Sequence, residues 1–182
     1  HFFRIRTTIL EKLMLNVELR APSAIPPNAE PEAPAAVHSL SWAVRIATQS
    51  PDELANEANA PTRPTPEEWR SVHVHTLREQ LDRLLLGRYT QEGLEALYVS
   101  GAFDAWLPEV ATMVGFGDGE WRHKDVWRHT KQVVWQSVPR LEVRWGALLH
   151  DIGKLKTRSI TPDGEVHFFA HAEVGARMFD KM

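Results

Sequence analysis

The 182 residues contain no cysteine. That excludes disulfides, a thiolate zinc site and a cysteine nucleophile, so any metal bound by the chain must use His, Asp and Glu. Long apolar runs are missing too, since nothing approaches the roughly 20 residues that span a bilayer. The opening "HFFRIRTTILEKLMLNVEL" has neither the uninterrupted apolar segment nor the small-residue cleavage site of a secretory leader. A soluble, cytoplasmic protein with no membrane partner is expected. Excess charge of one sign is also absent, the formal net charge being −3. The total therefore gives no reason to bind nucleic acid or an anionic membrane, although it can hide a local patch. The chain starts at His1 rather than Met, as a fragment or processed product does. With 43% hydrophobic and 25% charged residues, the composition suits one globular domain, or one with an appendage.

Proline is scarce except in one place: nine of the twelve fall between Pro22 and Pro66. Proline fixes φ, removes a donor and restricts its predecessor, so residues 1–64 are expected as a Pro/Ala-rich segment with one short docking helix, "VHSLSWAVRIATQ". From Thr65 the periodicity is helical. "TPEEWRSVHVHTLREQLDRLLLGR" opens with a cap residue, a proline at the first helical position and acids in the first turn, and predicts one long amphipathic helix. "TQEGLEALYVSGAFDAWLPEVATMVGF" predicts a helix capped by Thr90, a break at Ser100–Gly101 and a new start at Pro108. Alternating strand patterns are nearly absent after residue 65, "EVHFFAH" after the turn "TPDG" being the one candidate. The expected fold is all-α, with a helical neck over residues 65–120 and a final domain over residues 121–182.

In "HKDVWRHTKQVVWQSV", Val126, His129, Thr130, Val133 and Val134 share one helical stripe, which turns His129 toward the core. Taken alone, His129 reads first as a buried imidazole bonded to a carbonyl rather than as a ligand. The next helix, "LEVRWGALLHDI", has Trp145, Leu148, Leu149 and Ile152 as its buried face and is expected to end at Gly153 as a C-cap. His150 and Asp151 then sit in its last turn. An acid there opposes the helix dipole unless a cation compensates, and a divalent ion would do so. A third helix puts His171, Val174, Gly175 and Met178 on one face. Three inward histidines and an acid, with His150 following His129 by 21 residues and His171 following Asp151 by 20, suggest antiparallel helices converging on one point.

The blocks "GLEALYVSGAFDAWLPEVATMVGF", "HKDVWRHT", "ALLHDIGKLKTRS" and "HFFAHAEVGARM" follow in the order found in the helical region and HD domain of bacterial CCA-adding tRNA nucleotidyltransferases, which they resemble. The resemblance runs from about residue 68 to 182 and lies within the HD phosphohydrolase superfamily. It implies an HD-type helical bundle and a metal-dependent phosphohydrolase acting on a nucleotide or RNA-end phosphoester, 2′,3′-cyclic phosphates included. By the same resemblance His129, His150 and Asp151 are first ligands of the metal, with His171 as a further one. Imidazole and carboxylate without thiolate suit Mn²⁺, Fe²⁺, Co²⁺, Ni²⁺ or Mg²⁺, and Asp151 and Lys154 would be the catalytic pair. His123 is either an additional ligand, a contact to substrate phosphate or an exposed helix-start residue.

Two family features have no counterpart in these residues. The family's nucleotidyltransferase head carries a Gly-Ser motif and an Asp-x-Asp pair, so nucleotide addition is not expected of this chain. HD domains also use an aspartate from a later helix. Asp180 lies nine residues after His171, about 180° around the same helix, so the HD domain is expected to be C-terminally truncated. Between Arg122 and Arg158 there are nine Lys or Arg against Asp125, Glu142 and Asp151, a local excess of positive charge. Lys154, just past the glycine, and Arg158 are candidates to hold substrate phosphate, or else belong to a solvated face. The competing reading is an RNA- or tRNA-binding helical module with an incomplete or silent HD site.

Overall fold

The computed structural model describes residues 35–54, 61–116 and 125–182. Most of those residues are helical and their strands form one two-stranded sheet, so the fold is all-α, and they fall into two compact units that divide between Trp106 and Leu107.

The N-terminal unit is organised by α1 (Ala35–Thr48). Its alternation of small and large apolar residues buries Ala36, Leu40, Trp42, Ala43, Val44, Ile46 and Ala47, more of its circumference than the expected short docking helix would present. After α2 (Pro51–Leu54) come α3 (Pro66–Ser71), α4 (Val74–Leu85), α5 (Thr90–Val99) and α6 (Ala102–Trp106). Helix α1 packs on α4 and α5. Gly93 makes this possible, because a Cβ there would lie 2.7 Å from Ala47 Cβ and 3.0 Å from Ala43 O.

The start of α3 is as the sequence predicts: Thr65 accepts from Glu68 N, Glu68 reaches back to Thr65 N, and Pro66 opens the helix. The long helix beyond it does not form as one piece. The chain turns extended at Val72 and restarts from His73, whose ring caps His75 N. Thr90 is not a cap either, but sits buried in the first turn of α5 behind Tyr89. Tyr89 N instead donates to Ala47 O at 2.8 Å, satisfying a carbonyl that α1 leaves open at its end. Breaks do fall at Ser100–Gly101 and before Pro108. Buried Trp69 ties this end together, its indole donating to Ser100 O at 2.8 Å while Trp106 donates to Trp69 O at 2.7 Å.

In the C-terminal unit α7 (Pro108–Thr112) is followed by α8 (Val126–Gln136), α9 (Leu141–Leu149), α10 (Lys154–Thr157), strands β1 (Arg158–Ile160) and β2 (Val166–Phe168), and α11 (His171–Phe179). Asp125 caps α8 by accepting from Trp127 N and Arg128 N. Among the described residues of this unit, Val110, Met113, Val126, Trp127, Val134, Ala147, Leu148 and Ile152 are the buried apolar ones. The strands pair antiparallel with Arg158 opposite Phe168, so the strand candidate lies in a hairpin whose first strand the alternation did not reveal. Arg144, counted in the basic run, is buried and donates to Ser137 O at 3.0 Å and Val138 O at 3.4 Å, closing the α8–α9 turn.

Candidate metal centre

The centre is built where α9 ends. The expected glycine C-cap does not occur: Gly153 has φ −65 and ψ −22, right-handed values, and the chain winds through residues 150–153 directly into α10. Its glycine is required for space instead. A Cβ on Gly153 would fall on the His171 carbonyl and 2.6 Å from Gly175 N, so α11 crosses this turn backbone to backbone. That close crossing brings His171 to the end of α9.

Asp151 is the hub, its side chain only 2% exposed. Its Oδ2 lies 2.7 Å from Lys154 Nζ, 3.2 Å from His150 Nε2 and 3.9 Å from His129 Nε2, and its Oδ1 lies 3.9 Å from His171 Nε2. Burial pushes its carboxyl pKa up, but the hydrogen bonds from His150 and Lys154 outweigh burial and hold it at about 2. The His150 pKa is raised, chiefly by its hydrogen bond to Asp151. Asp151 is thus an anion in a place where an anion is tolerated only with cationic or donor partners.

The ring nitrogens are oriented by the main chain. His150 Nδ1 lies 2.8 Å from Ala147 O and His171 Nδ1 lies 2.9 Å from Phe168 O. A carbonyl only accepts, so both Nδ1 atoms donate and both Nε2 atoms face Asp151. This is the outer arrangement that metal-binding histidines use. His171 is set by Ala170, which takes the left-handed conformation at φ 56, strained for a residue with a Cβ. The rings of His129 and His150 meet edge to face at 5.5 Å. His129, His150 and Asp151 each offer an atom within 4.8 Å of the others. Opposite ligands of an ion bonded at about 2.1 Å are about 4.2 Å apart, so a small contraction would fit one. The all-N/O donor set suits the hard and borderline divalent ions named above.

His129 itself is 51% exposed, at the rim rather than in the core, because the buried part of its helix is narrower than the apolar stripe: Val126, Thr130 and Val134 are buried and Val133 is only partly so. Arg158 lies on exposed β1, opposite Phe168, and is not among the groups around Asp151. His123, with Arg122 and Lys124 of the basic run, lies outside the described residues. The contact that sequence reasoning missed is Lys154 to Asp151. The Asp-x-x-Lys spacing could have shown it, since residues i and i+3 share a face.

Comparison with known proteins places this geometry in context. The HD domain family model matches residues 124–182. A CC-adding tRNA nucleotidyltransferase of Thermus thermophilus is 40% identical over 109 residues, which is 56% of this chain and 25% of that protein. An A-adding tRNA nucleotidyltransferase of Deinococcus radiodurans is 32% identical over 149 residues, 78% of this chain and 33% of that protein. A multifunctional CCA protein of Pseudomonas syringae is 31% identical over 106 residues, 55% of this chain and 25% of that protein. The chain thus spans a quarter to a third of the length of these curated relatives. No solved structure matches it significantly.

Proposed function

Residues 124–182 belong to the HD domain family, and on that premise we propose that the chain is a metal-dependent phosphohydrolase acting on a nucleotide or RNA-end phosphoester, with 2′,3′-cyclic phosphates in its range. The observation that carries the reading is the meeting of His129, His150 and Asp151 within 4.8 Å, with the Nδ1 atoms of His150 and of neighbouring His171 bonded to carbonyls. His129, His150, Asp151 and His171 would hold a divalent cation. When bound, such an ion acidifies water and polarises a phosphoryl oxygen, so ester hydrolysis needs no protein nucleophile.

The residues of the chain divide the remaining work. Asp151 stays ionised across the neutral range and supplies the one anionic donor of the group. Ala147 O and Phe168 O keep the Nε2 atoms of His150 and His171 turned inward. Lys154 is the catalytic partner of Asp151 and contacts substrate phosphate, and Arg158 and His123 extend the anion-binding rim. The test is turnover of 2′,3′-cyclic AMP with Mn²⁺ supplied, followed by product formation, with His129→Ala as control. Metal uptake that depends on His129 together with turnover supports the reading, and failure to take up metal by elemental analysis refutes it.

The second reading, a tRNA-binding helical module with a silent site, draws on the relatives. The Deinococcus protein named a tRNA nucleotidyltransferase aligns over 149 residues, well beyond the HD match. Metal-independent binding to a tRNA acceptor stem, weakening with salt as phosphate contacts require, and no hydrolysis would favour it.

A further inference from the structure

Asp151 is the one carboxylate in the group it forms with His129 and His150. Its Oδ2 is also the atom on which the ammonium of Lys154 rests at 2.7 Å. That placement is built rather than incidental. Lys154 opens α10 three residues after Asp151, its side chain is 22% exposed, and its Nζ lies 5.7 Å from the Phe168 ring centroid. The ammonium and the imidazoles of His150 and His129 therefore all address one oxygen.

From this shared atom we infer that Lys154 is an internal counter-ion that competes with a divalent metal for Asp151 Oδ2 and so sets the metal affinity of the site. The inference rests on the metal-site reading above and adds a determinant of affinity to it. A buried carboxylate needs a cation beside it. Lys154 supplies one from within the fold. A doubly charged ion arriving at the same oxygen meets an ammonium a few ångströms away, in a setting where water screens poorly. Binding the ion must therefore release Lys154 from Asp151, and that release opposes binding. The ammonium so released is freed toward solvent, where an incoming phosphate can take it up.

Mn²⁺ titration by calorimetry at neutral pH tests the competition in the full chain. Lys154→Gln, which keeps a donor but loses the charge, is expected to bind Mn²⁺ at least about tenfold more tightly than the parent, with Lys154→Met behaving alike. Lys154→Arg should stay near the parent affinity. Equal or weaker binding in the Gln variant, or an Arg variant as tight as Gln, overturns the counter-ion role while leaving the metal site standing. No Mn²⁺ binding in any protein, parent included, overturns both. A second measurement needs no substitution: the rate at which Lys154 is acetylated, read by peptide mass spectrometry, should rise severalfold when Mn²⁺ is added to the parent protein. A rate that is unchanged or lower means Lys154 is not displaced, and the inference fails.

Discussion

The two compact units bury different kinds of atoms. Among the described residues of the N-terminal unit the buried polar residues are Ser39, Thr90 and Ser100, all neutral hydroxyls, as with Ser100 Oγ donating to Leu97 O at 2.8 Å. The C-terminal unit buries Thr130 together with two charged groups, Arg144 and Asp151. Apolar bulk is distributed the other way. Trp69, Phe103, Leu40, Leu54, Leu84, Leu85, Leu94 and Leu97 are fully buried in the first unit, against Met113, Leu148, Ile152 and Val110 in the second. Each fully buried Leu-sized side chain contributes about 1.5–3 kcal/mol, whereas a buried charge must first recover its own desolvation through its partners before it adds anything. One unit is therefore organised for cohesion, and the other gives up cohesion to keep an anion dry and surrounded by donors.

Four experiments press on this contrast, from the largest effect down. Asp151→Ala should lower Mn²⁺ affinity by at least about a hundredfold, because it removes the anionic donor, while far-UV dichroism stays nearly unchanged. Retained affinity would detach the charged core of the second unit from metal binding. Next, Gly153→Ala should destabilise the second unit by about 3 kcal/mol or more through overpacking against α11, and Leu97→Ala should cost the first unit about 2–5 kcal/mol through a cavity. Segment-resolved hydrogen exchange should show each loss in its own unit, and metal affinity should fall only for Gly153→Ala.

The third is a pH effect in chelator. The Asp151 carboxyl, at about 2 against an ordinary 3.8, binds its proton less readily folded than unfolded. It contributes roughly 2 kcal/mol above the unfolded value, lost as pH falls through the folded one. Acid unfolding of the second unit should therefore be shallower in Asp151→Asn than in the parent between pH ~4 and ~2. The smallest effect is a gain, Ala170→Gly raising stability by about 0.5–1 kcal/mol through relief of the left-handed φ, measured by thermal melting.

Much of the local chemistry could be read without coordinates. The Thr65–Pro66–Glu68 cap, the break at Ser100–Gly101 and the helix start at Pro108 each depend on neighbouring residues alone, and each lies where the pattern put it. Non-local features were harder. Nothing in "VHVH" distinguishes a helix interior from a restart, because His73 becomes a cap only once Val72 turns extended. Strand β1 is exposed throughout, so it has no alternation to show and exists because β2 pairs with it. Gly153 looked like a helix terminator, but its role depends on how closely α11 approaches, a distance no spacing encodes. At the centre, the stripe through Val126, Thr130 and Val134 correctly turned α8 inward. It could not tell that His129, on the edge of that stripe, would stay half exposed at the rim beside Asp151.

The carbonyls of Ala147 and Phe168 have a spectroscopic consequence. A free neutral histidine in water carries its proton mainly on Nε2, yet His150 and His171 are each bonded through Nδ1 to an oxygen that can only accept. Once neutral, these two rings are held in the tautomer that is the minority form in solution, and their ¹⁵N resonances should stand apart from those of exposed His73 and His75. The preference is written into main-chain atoms, which no side-chain substitution deletes. Side chains on α9 and α11 can therefore vary around the centre while the backbone continues to dictate which nitrogen of each ring is offered to a ligand.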